Sequence, residues 1–323
     1  MSSTPVPVLE LLDWSVRFAT REGPVVAVDG VNLAVWPGQC VGIIGESGAG
    51  KSQALLAPFK LTTSESGTSG TARFAGEDLL ALRGRELDRI RGARAGFVFQ
   101  DPMSSLTPHR TVGDQLTEVL EHHGRARGAV ARARELLERV GIEEPARRLG
   151  QYPHQFSGGQ RQRISIAMAI ACEPELLIAD EPTTALDVTV QAEILELLAS
   201  LKAGHRLAIV LVSHDFGVVG RLADQVHVMY AGRVVEEGPA EAVLASPRHP
   251  YTAALLACIP RMEDAPHAPL PPIPGRPPEP RNTPAGCAFH PRCAFAQARC
   301  RSETPVLVPG AGRSVACHFP LPA

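Results

Sequence analysis

Lysine is nearly absent from this sequence: Lys51, Lys60 and Lys202 are the only three, and arginine supplies the other basic side chains. A lysine inside a motif is therefore no filler. Long apolar runs are missing too. No stretch approaches the roughly 20 consecutive apolar residues that cross a bilayer as a helix. The opening MSSTPVPVLELLDW carries Glu10 and Asp13 and has no basic leader, so no signal peptide is expected. The sequence reads as cytosolic, and any work at a membrane requires other chains to hold it there. A strong net charge is lacking as well; the formal value of -2 gives no general affinity for polyanions such as nucleic acid. Structural disulfides are not expected, because seven cysteines in a cytosolic setting stay reduced. Four of these fall between Cys287 and Cys317, a crowding that points to metal.

What remains is an ordinary globular composition, 44% hydrophobic and 20% charged over 323 residues, enough for one large or two smaller domains. Residues 1–45 alternate apolar and polar in short runs such as Val25–Val35, broken at Pro37-Gly38, and read as strands and turns. Gln39–Ile44 is a buried-type strand running into a glycine-rich turn, with a helix expected from Ser52. Residues 78–175 look mostly helical, with helical periodicity over Val112–His123, Val130–Val140 and Ile164–Ala171. Leu176–Ala179 and Leu207–Val212 are short apolar strands on either side of a helix over Val188–Lys202, and Gln225–Glu237 reads as a hairpin turned at Ala231-Gly232. Strands alternating with helices predict an α/β fold with a mainly parallel core sheet, into which the helical stretch is inserted. Residues 62–71 form a plain polar loop, and Pro58 is expected to kink or shorten the helix before it.

Gly45-Glu46-Ser47-Gly48-Ala49-Gly50-Lys51-Ser52 fits G-x-x-x-x-G-K-S/T in the strand–turn–helix context that gives the pattern meaning. Its glycines let the backbone curl so that several N–H groups face one anion, and the helix behind adds its positive end. Lys51 is expected to reach the β- and γ-phosphates of a nucleotide, and the Ser52 hydroxyl to ligate Mg2+. The apolar strand at Leu176 ends in Asp180, placed to act on that Mg2+, and Glu181, placed to polarise an attacking water. Gln100, after the strand Gly96–Phe99, is a candidate contact to metal and water; His214, after Leu207–Ser213, is a candidate contact to the γ-phosphate. Each sits at the carboxyl end of a strand, where α/β sites are built.

Phe156-Ser157-Gly158-Gly159-Gln160-Arg161-Gln162-Arg163 resembles the ABC ATPase signature, commonly LSGGQ, with Phe in place of Leu. Over about residues 8–260 the other motifs follow in order: Gly45–Ser52 is similar to Walker A, Leu176–Glu181 to Walker B, Gln100 to the Q-loop, His214 to the switch histidine, and Ala185-Leu186-Asp187 to the D-loop. The resemblance implies a P-loop NTPase of the ABC ATPase type, with an antiparallel β subdomain and a helical subdomain at about 101–175. It implies that Ser157, Gly158, Gly159 and Gln160 close over the γ-phosphate held by a second ATPase subunit, and that Asp187 borders the nucleotide. Phe18 is placed by position alone as the aromatic that stacks on adenine. Phe99-Gln100-Asp101-Pro102-Met103-Ser104-Ser105-Leu106-Thr107-Pro108, Tyr152-Pro153-His154-Gln155-Phe156, Met229-Tyr230-Ala231-Gly232 and His249-Pro250-Tyr251 narrow the resemblance to oligopeptide, dipeptide and nickel importer ATPases. Membership implies two transmembrane permease subunits, a second and related ATPase subunit, an external substrate-binding protein, and a peripheral place on the cytoplasmic membrane face. The competing class is a soluble ABC ATPase outside transport; those usually carry two ATPase units or a long coiled coil, and neither is visible here.

After Pro260 the texture changes, giving a domain over 1–260 and a proline-rich linker and cysteine-rich extension over 261–323. Cys287, Cys293, Cys300 and Cys317 are spaced C-x5-C-x6-C-x16-C. Four thiolates suit either Zn2+ or a 4Fe–4S cluster. Structural zinc usually takes tight C-x2–4-C knuckles, and none is present. The looser spacing favours the cluster, which the resembled importer ATPases carry in this region; zinc stays the alternative. His290 and His318 read as bystanders, and Cys40, Cys172 and Cys258 as core residues.

Overall fold

The computed structural model describes residues 6–62, 66–101, 105–184, 186–259, 272–310 and 312–322. Pro102, Met103, Ser104, Ala185 and Pro271, which belong to the motifs and linker above, lie outside the described residues, as does the expected boundary at 260/261. In chain order the strands are β1 (Leu9–Thr20), β2 (Gly23–Val35), β3 (Cys40–Ile44), β4 (Ser66–Phe74), β5 (Glu77–Asp78), β6 (Ala95–Val98), β7 (Leu176–Asp180), β8 (Ala208–Ser213), β9 (Gln225–Tyr230), β10 (Arg233–Pro239), β11 (Val308–Gly310) and β12 (Arg313–Val315). The helices are α1 (Lys51–Leu56), α2 (Arg85–Asp88), α3 (Val112–His122), α4 (Ala129–Arg139), α5 (Pro145–Arg148), α6 (Gly158–Ala169), α7 (Val188–His205), α8 (Phe216–Leu222), α9 (Ala240–Ala245), α10 (Pro250–Ala257) and α11 (Ala298–Ser302). No helix among the described residues is long and apolar enough to cross a membrane.

The chain forms two compact units, the first from Met1–Glu10, Ala34–Cys40 and Ala72–Val212, the second from Leu11–Leu33, Val41–Thr71 and Ser213–Ala323. In the first unit β6, β7 and β8 run parallel, with Ala95 opposite Leu176 and Leu176 opposite Ala208. Every residue of β7 and β8 is buried. That is why both read as unbroken apolar runs, since a parallel strand covered on both faces has no solvent side to alternate with. Helices α3 to α6 form the expected helical part. Val112, Leu116 and Leu120 of α3 and Ala133, Leu136 and Leu137 of α4 are buried, one apolar stripe on each helix. Residues 78–95 are less helical than expected: only the single turn of α2 precedes β6.

In the second unit the strand order is β3, β9, β10, β12, β11. β3 and β9 are parallel, with Val41 opposite Gln225. β9 and β10 form the expected hairpin, and its turn takes positive φ at both Ala231 (48°) and Gly232 (81°), the conformation that matches strand twist in a two-residue loop. β12 then adds to β10, Glu236 opposite Val315. The C-terminal residues therefore extend the sheet that carries the phosphate-loop strand.

Two further expectations are corrected. Residues 66–71 are the first part of β4 instead of a loop, lying beside β1 in the order β2, β1, β4. Gly70 shows why composition misled: at φ +93° it brings the backbones so close that a Cβ there would stand 2.4 Å from the Asp13 carbonyl oxygen. The glycine that weakens a strand by propensity is what lets this one pack. Gln100 does not end a strand; β6 stops at Val98, so the glutamine stands on the loop two residues further on. Pro58 acts as expected, and α1 stops at Leu56 after six residues.

Candidate active site

The phosphate-loop residues belong to the second unit. β3 delivers the chain into Gly45, and the loop turns through Gly48 (φ 80°) and Gly50 (φ 95°) before α1 begins at Lys51. Gly50 has a second reason to be glycine: a Cβ there would meet the Ala27 carbonyl oxygen at 2.2 Å. The Ala49 carbonyl accepts the Gly232 N–H at 3.0 Å, which fastens the loop to the β9–β10 turn. Lys51 is buried, and its Nζ donates to the carbonyls of Gly45 (2.7 Å) and Glu46 (3.1 Å), so the ammonium lies across the curl of its own loop. Ser52 follows in the first turn of α1. Glu46, Ser47, Gly48 and Ala49 border a cavity of about 240 Å³ whose far side includes Pro277 and Pro278. Phe18 is half-buried on β1 and is not among the residues lining it. His214 is the first residue beyond β8 and is exposed.

Asp180, Glu181 and Gln100 belong to the first unit. Asp180 closes β7 and is buried, 8% exposed. Glu181 turns away sharply, at φ 49°, its N–H donating to the Val212 carbonyl at 3.0 Å. Its Oε2 accepts two bonds, from Gln100 Nε2 at 3.1 Å and from Thr184 Oγ1 at 2.9 Å. Two donors on one carboxylate oxygen fix its direction. Two of the sequence-expected residues, Gln100 and Glu181, are thus brought into direct contact. Thr184 was not expected; its only signal is a hydroxyl three residues past the acid.

The signature residues open α6. Ser157 Oγ accepts the Gln160 N–H at 3.2 Å, and Gln160 Oε1 accepts the Ser157 N–H at 3.0 Å, a reciprocal capping box. The box holds the Ser-Gly-Gly tip in a fixed curl, with Gly158 and Gly159 as the first residues of a 12-residue helix. Asp187 plays a cap as well, its Oδ1 accepting the Val190 N–H at 3.0 Å at the start of α7.

Cys287, Cys293, Cys300 and Cys317 line one small chamber walled by Phe289, Phe295 and Phe319. Strands and turns far apart in sequence meet there: the Cys287 N–H donates to the Cys300 carbonyl at 2.8 Å, and Cys317 follows β12. Burial raises the thiol pKa of Cys287, Cys293 and Cys317, the last to about 11 with neighbouring thiols adding to the effect. Among the described residues no group of three or more His, Cys, Asp or Glu side chains is arranged to hold a metal ion. His290 Nδ1 meets the Cys287 carbonyl and His318 Nε2 the Glu303 carbonyl, each at 2.9 Å, so both rings are engaged with the main chain. Of the other cysteines, Cys40 and Cys172 are buried as expected and Cys258 is only half-buried.

Comparison with known proteins identifies the family. The ABC transporter family profile matches residues 28–184, and the profile of the oligopeptide/dipeptide transporter C-terminal region matches residues 235–300. A protein of Brucella abortus provisionally named a peptide import ATP-binding protein is 48% identical over 100% of this chain and 98% of its own. The oligopeptide transport ATP-binding protein OppD of Haemophilus influenzae is 47% identical over 91% of this chain and 92% of its own. Among solved structures, an ATP-binding cassette captured as a dimer in a post-hydrolysis state with ADP and Pi superposes with a TM-score of 0.65, at 30% identity, covering 72% of this chain and 98% of that one. These matches show that this chain belongs to the ABC transporter family, with the C-terminal region of its oligopeptide/dipeptide branch.

Proposed function

We propose that this chain binds and hydrolyses ATP to drive an importer of peptides, with nickel as the alternative cargo of the same branch. The cargo reading rests on the names of its relatives, peptide import and oligopeptide transport proteins. The Gly45–Ser52 loop would take the triphosphate, with Lys51 on its β- and γ-phosphates. Ser52 and Asp180 would hold Mg2+, with Gln100 beside it, and His214 would contact the γ-phosphate. Glu181 would orient and deprotonate the attacking water. The observation that carries this reading is the Glu181 carboxylate directed by Gln100 and Thr184, one residue after Asp180. Removing its charge while keeping its shape is the direct test. Glu181→Gln is expected to keep ATP affinity and release phosphate at least ~100-fold more slowly, the lower range for loss of a general base. Turnover near that of the unmodified protein would refute the assignment.

The capped tip at Ser157, Gly158, Gly159 and Gln160 would close over ATP held by a second ATPase subunit, a related chain in a hetero-pair. A solved relative captured as a dimer with ADP and Pi supports such pairing. The assembly would include two transmembrane permease subunits and, outside, a substrate-binding protein, placing this chain peripherally on the cytoplasmic membrane face. Phe18 would stack on adenine, and Asp187 would border the nucleotide at the subunit interface.

For the cysteine chamber the reading is a 4Fe–4S cluster, with zinc the alternative. Four thiols line one apolar space, though among the described residues no group of three or more is arranged to hold a metal ion. Buried thiols with raised pKa values are costly to ionise alone, and a cationic iron core would offset that cost. Iron and acid-labile sulfide in protein purified without oxygen would support the cluster; colourless, iron-free protein would overturn it.

A further inference from the structure

The turn His290–Arg292, just before Cys293, aims an arginine at the phosphate loop. Arg292 Nη1 donates to Glu46 Oε2 at 2.6 Å and Nη2 to Glu46 Oε1 at 3.0 Å. Its Nε donates to the Pro274 carbonyl at 2.9 Å, and its side chain is only 4% exposed. The guanidinium also lies 5.9 Å from the Tyr230 ring centroid and 6.0 Å from that of Phe289. Glu46 is the second residue of the phosphate loop, and its main chain is held too: its N–H donates to Tyr251 Oη at 2.9 Å. Tyr251 is fully buried in the first turn of α10, its ring 4.5 Å from that of Tyr230 and 5.3 Å from that of Phe289. Behind it, the buried Glu236 carboxylate accepts the N–H groups of Arg248 (2.8 Å) and His249 (2.9 Å), which fixes the start of α10. Side chain and backbone of Glu46 are thus gripped from elements more than 200 residues further along the chain.

We propose that Arg292 is a positioning residue for ATP binding, through which the cysteine-rich region holds the phosphate loop in the curl that receives the triphosphate. The proposal rests on the ATP reading above. A loop that binds through main-chain N–H groups binds well only if its torsions are set beforehand, and a glycine-rich stretch has little stiffness of its own. A bidentate arginine–carboxylate pair supplies orientation as well as attraction. Packing within rings and a proline carbonyl keeps the guanidinium away from solvent, while the Glu46 carboxylate stays partly exposed. If the pair only stapled the C-terminal region in place, its loss would lower the melting temperature and leave nucleotide affinity in the folded protein unchanged.

The test uses the full chain and a non-hydrolysable ATP analogue titrated by calorimetry, with folding checked by circular dichroism. Arg292→Gln is expected to raise the dissociation constant about tenfold or more, the range for losing a hydrogen bond to a charged group. Arg292→Lys keeps the charge without the fork and should recover part of the affinity. Tyr251→Phe removes one oxygen, keeps the ring packing, and should weaken binding in the same direction. In ATPase assays all three should raise KM with kcat little changed. Folded Arg292→Gln protein with unchanged affinity overturns the proposal. Should that variant not fold, unchanged affinity in both Arg292→Lys and Tyr251→Phe overturns it equally. An unmodified protein that binds no analogue at all would sink the ATP reading instead.

Discussion

Lys51 spends its charge on its own loop, donating to the carbonyls of Gly45 and Glu46. An ammonium buried in that curl completes an anion site whose other donors are main-chain N–H groups. Lys51→Ala removes the one mobile cation of the motif, and ATP affinity is expected to fall by ~10- to 100-fold, the range for a charge-assisted hydrogen bond. Calorimetry on the folded variant checks it, and an unchanged dissociation constant would contradict the role. Residues of this kind were legible in the sequence because backbone geometry dictates them: the loop needs glycine where φ is positive, and Lys51 stands among only three lysines. Thr184, Tyr251 and Arg292 were not legible in these roles. Their partners are set by tertiary approach, across 205 residues for Tyr251 and 246 for Arg292, and no local spacing reports that. His249-Pro250-Tyr251 stood out as a motif, and the structure gives its tyrosine a physical task.

Elements were read well wherever a cap or an unbroken apolar run marked them. Thr111, Ser157 and Asp187 each accept a backbone N–H at a helix start, and β7 and β8 are the apolar runs expected of buried parallel strands. β4 was missed because its first residues are Ser, Gly and Thr, a turn-like composition that only pairing with β1 converts to strand. Gly70 is the point of closest approach, and Gly70→Ala would set a side chain 2.4 Å from the Asp13 carbonyl at a φ of +93°. Strain and overpacking together should cost about 2–3 kcal/mol of stability. Urea denaturation of the variant measures this; an unshifted midpoint would show that the β1–β4 pairing tolerates a Cβ there.

At the scale of the whole molecule, the boundary that composition places at 260/261 lies outside the described residues, and strand pairing joins residues from either side of it. β12 adds to β10, so residues beyond the proline-rich stretch share a sheet with β3, the strand that delivers the phosphate loop. Antiparallel addition of a three-residue strand leaves almost no periodic trace in sequence, whereas proline richness is conspicuous. The chain carries one phosphate loop, in the second unit, and one capped Ser-Gly-Gly tip, in the first. In the proposed motor each tip would serve the nucleotide of the neighbouring subunit, so one of each would work only in a pair. The most direct measurement is the structure of the assembled importer carrying Glu181→Gln in this subunit, with Mg2+ and ATP bound. The account predicts the γ-phosphate touching Lys51 and, from the other side, the Ser-Gly-Gly tip of the partner ATPase. ATP bound away from the Gly45–Ser52 loop, or lying there with no second subunit closing over it, would contradict the account.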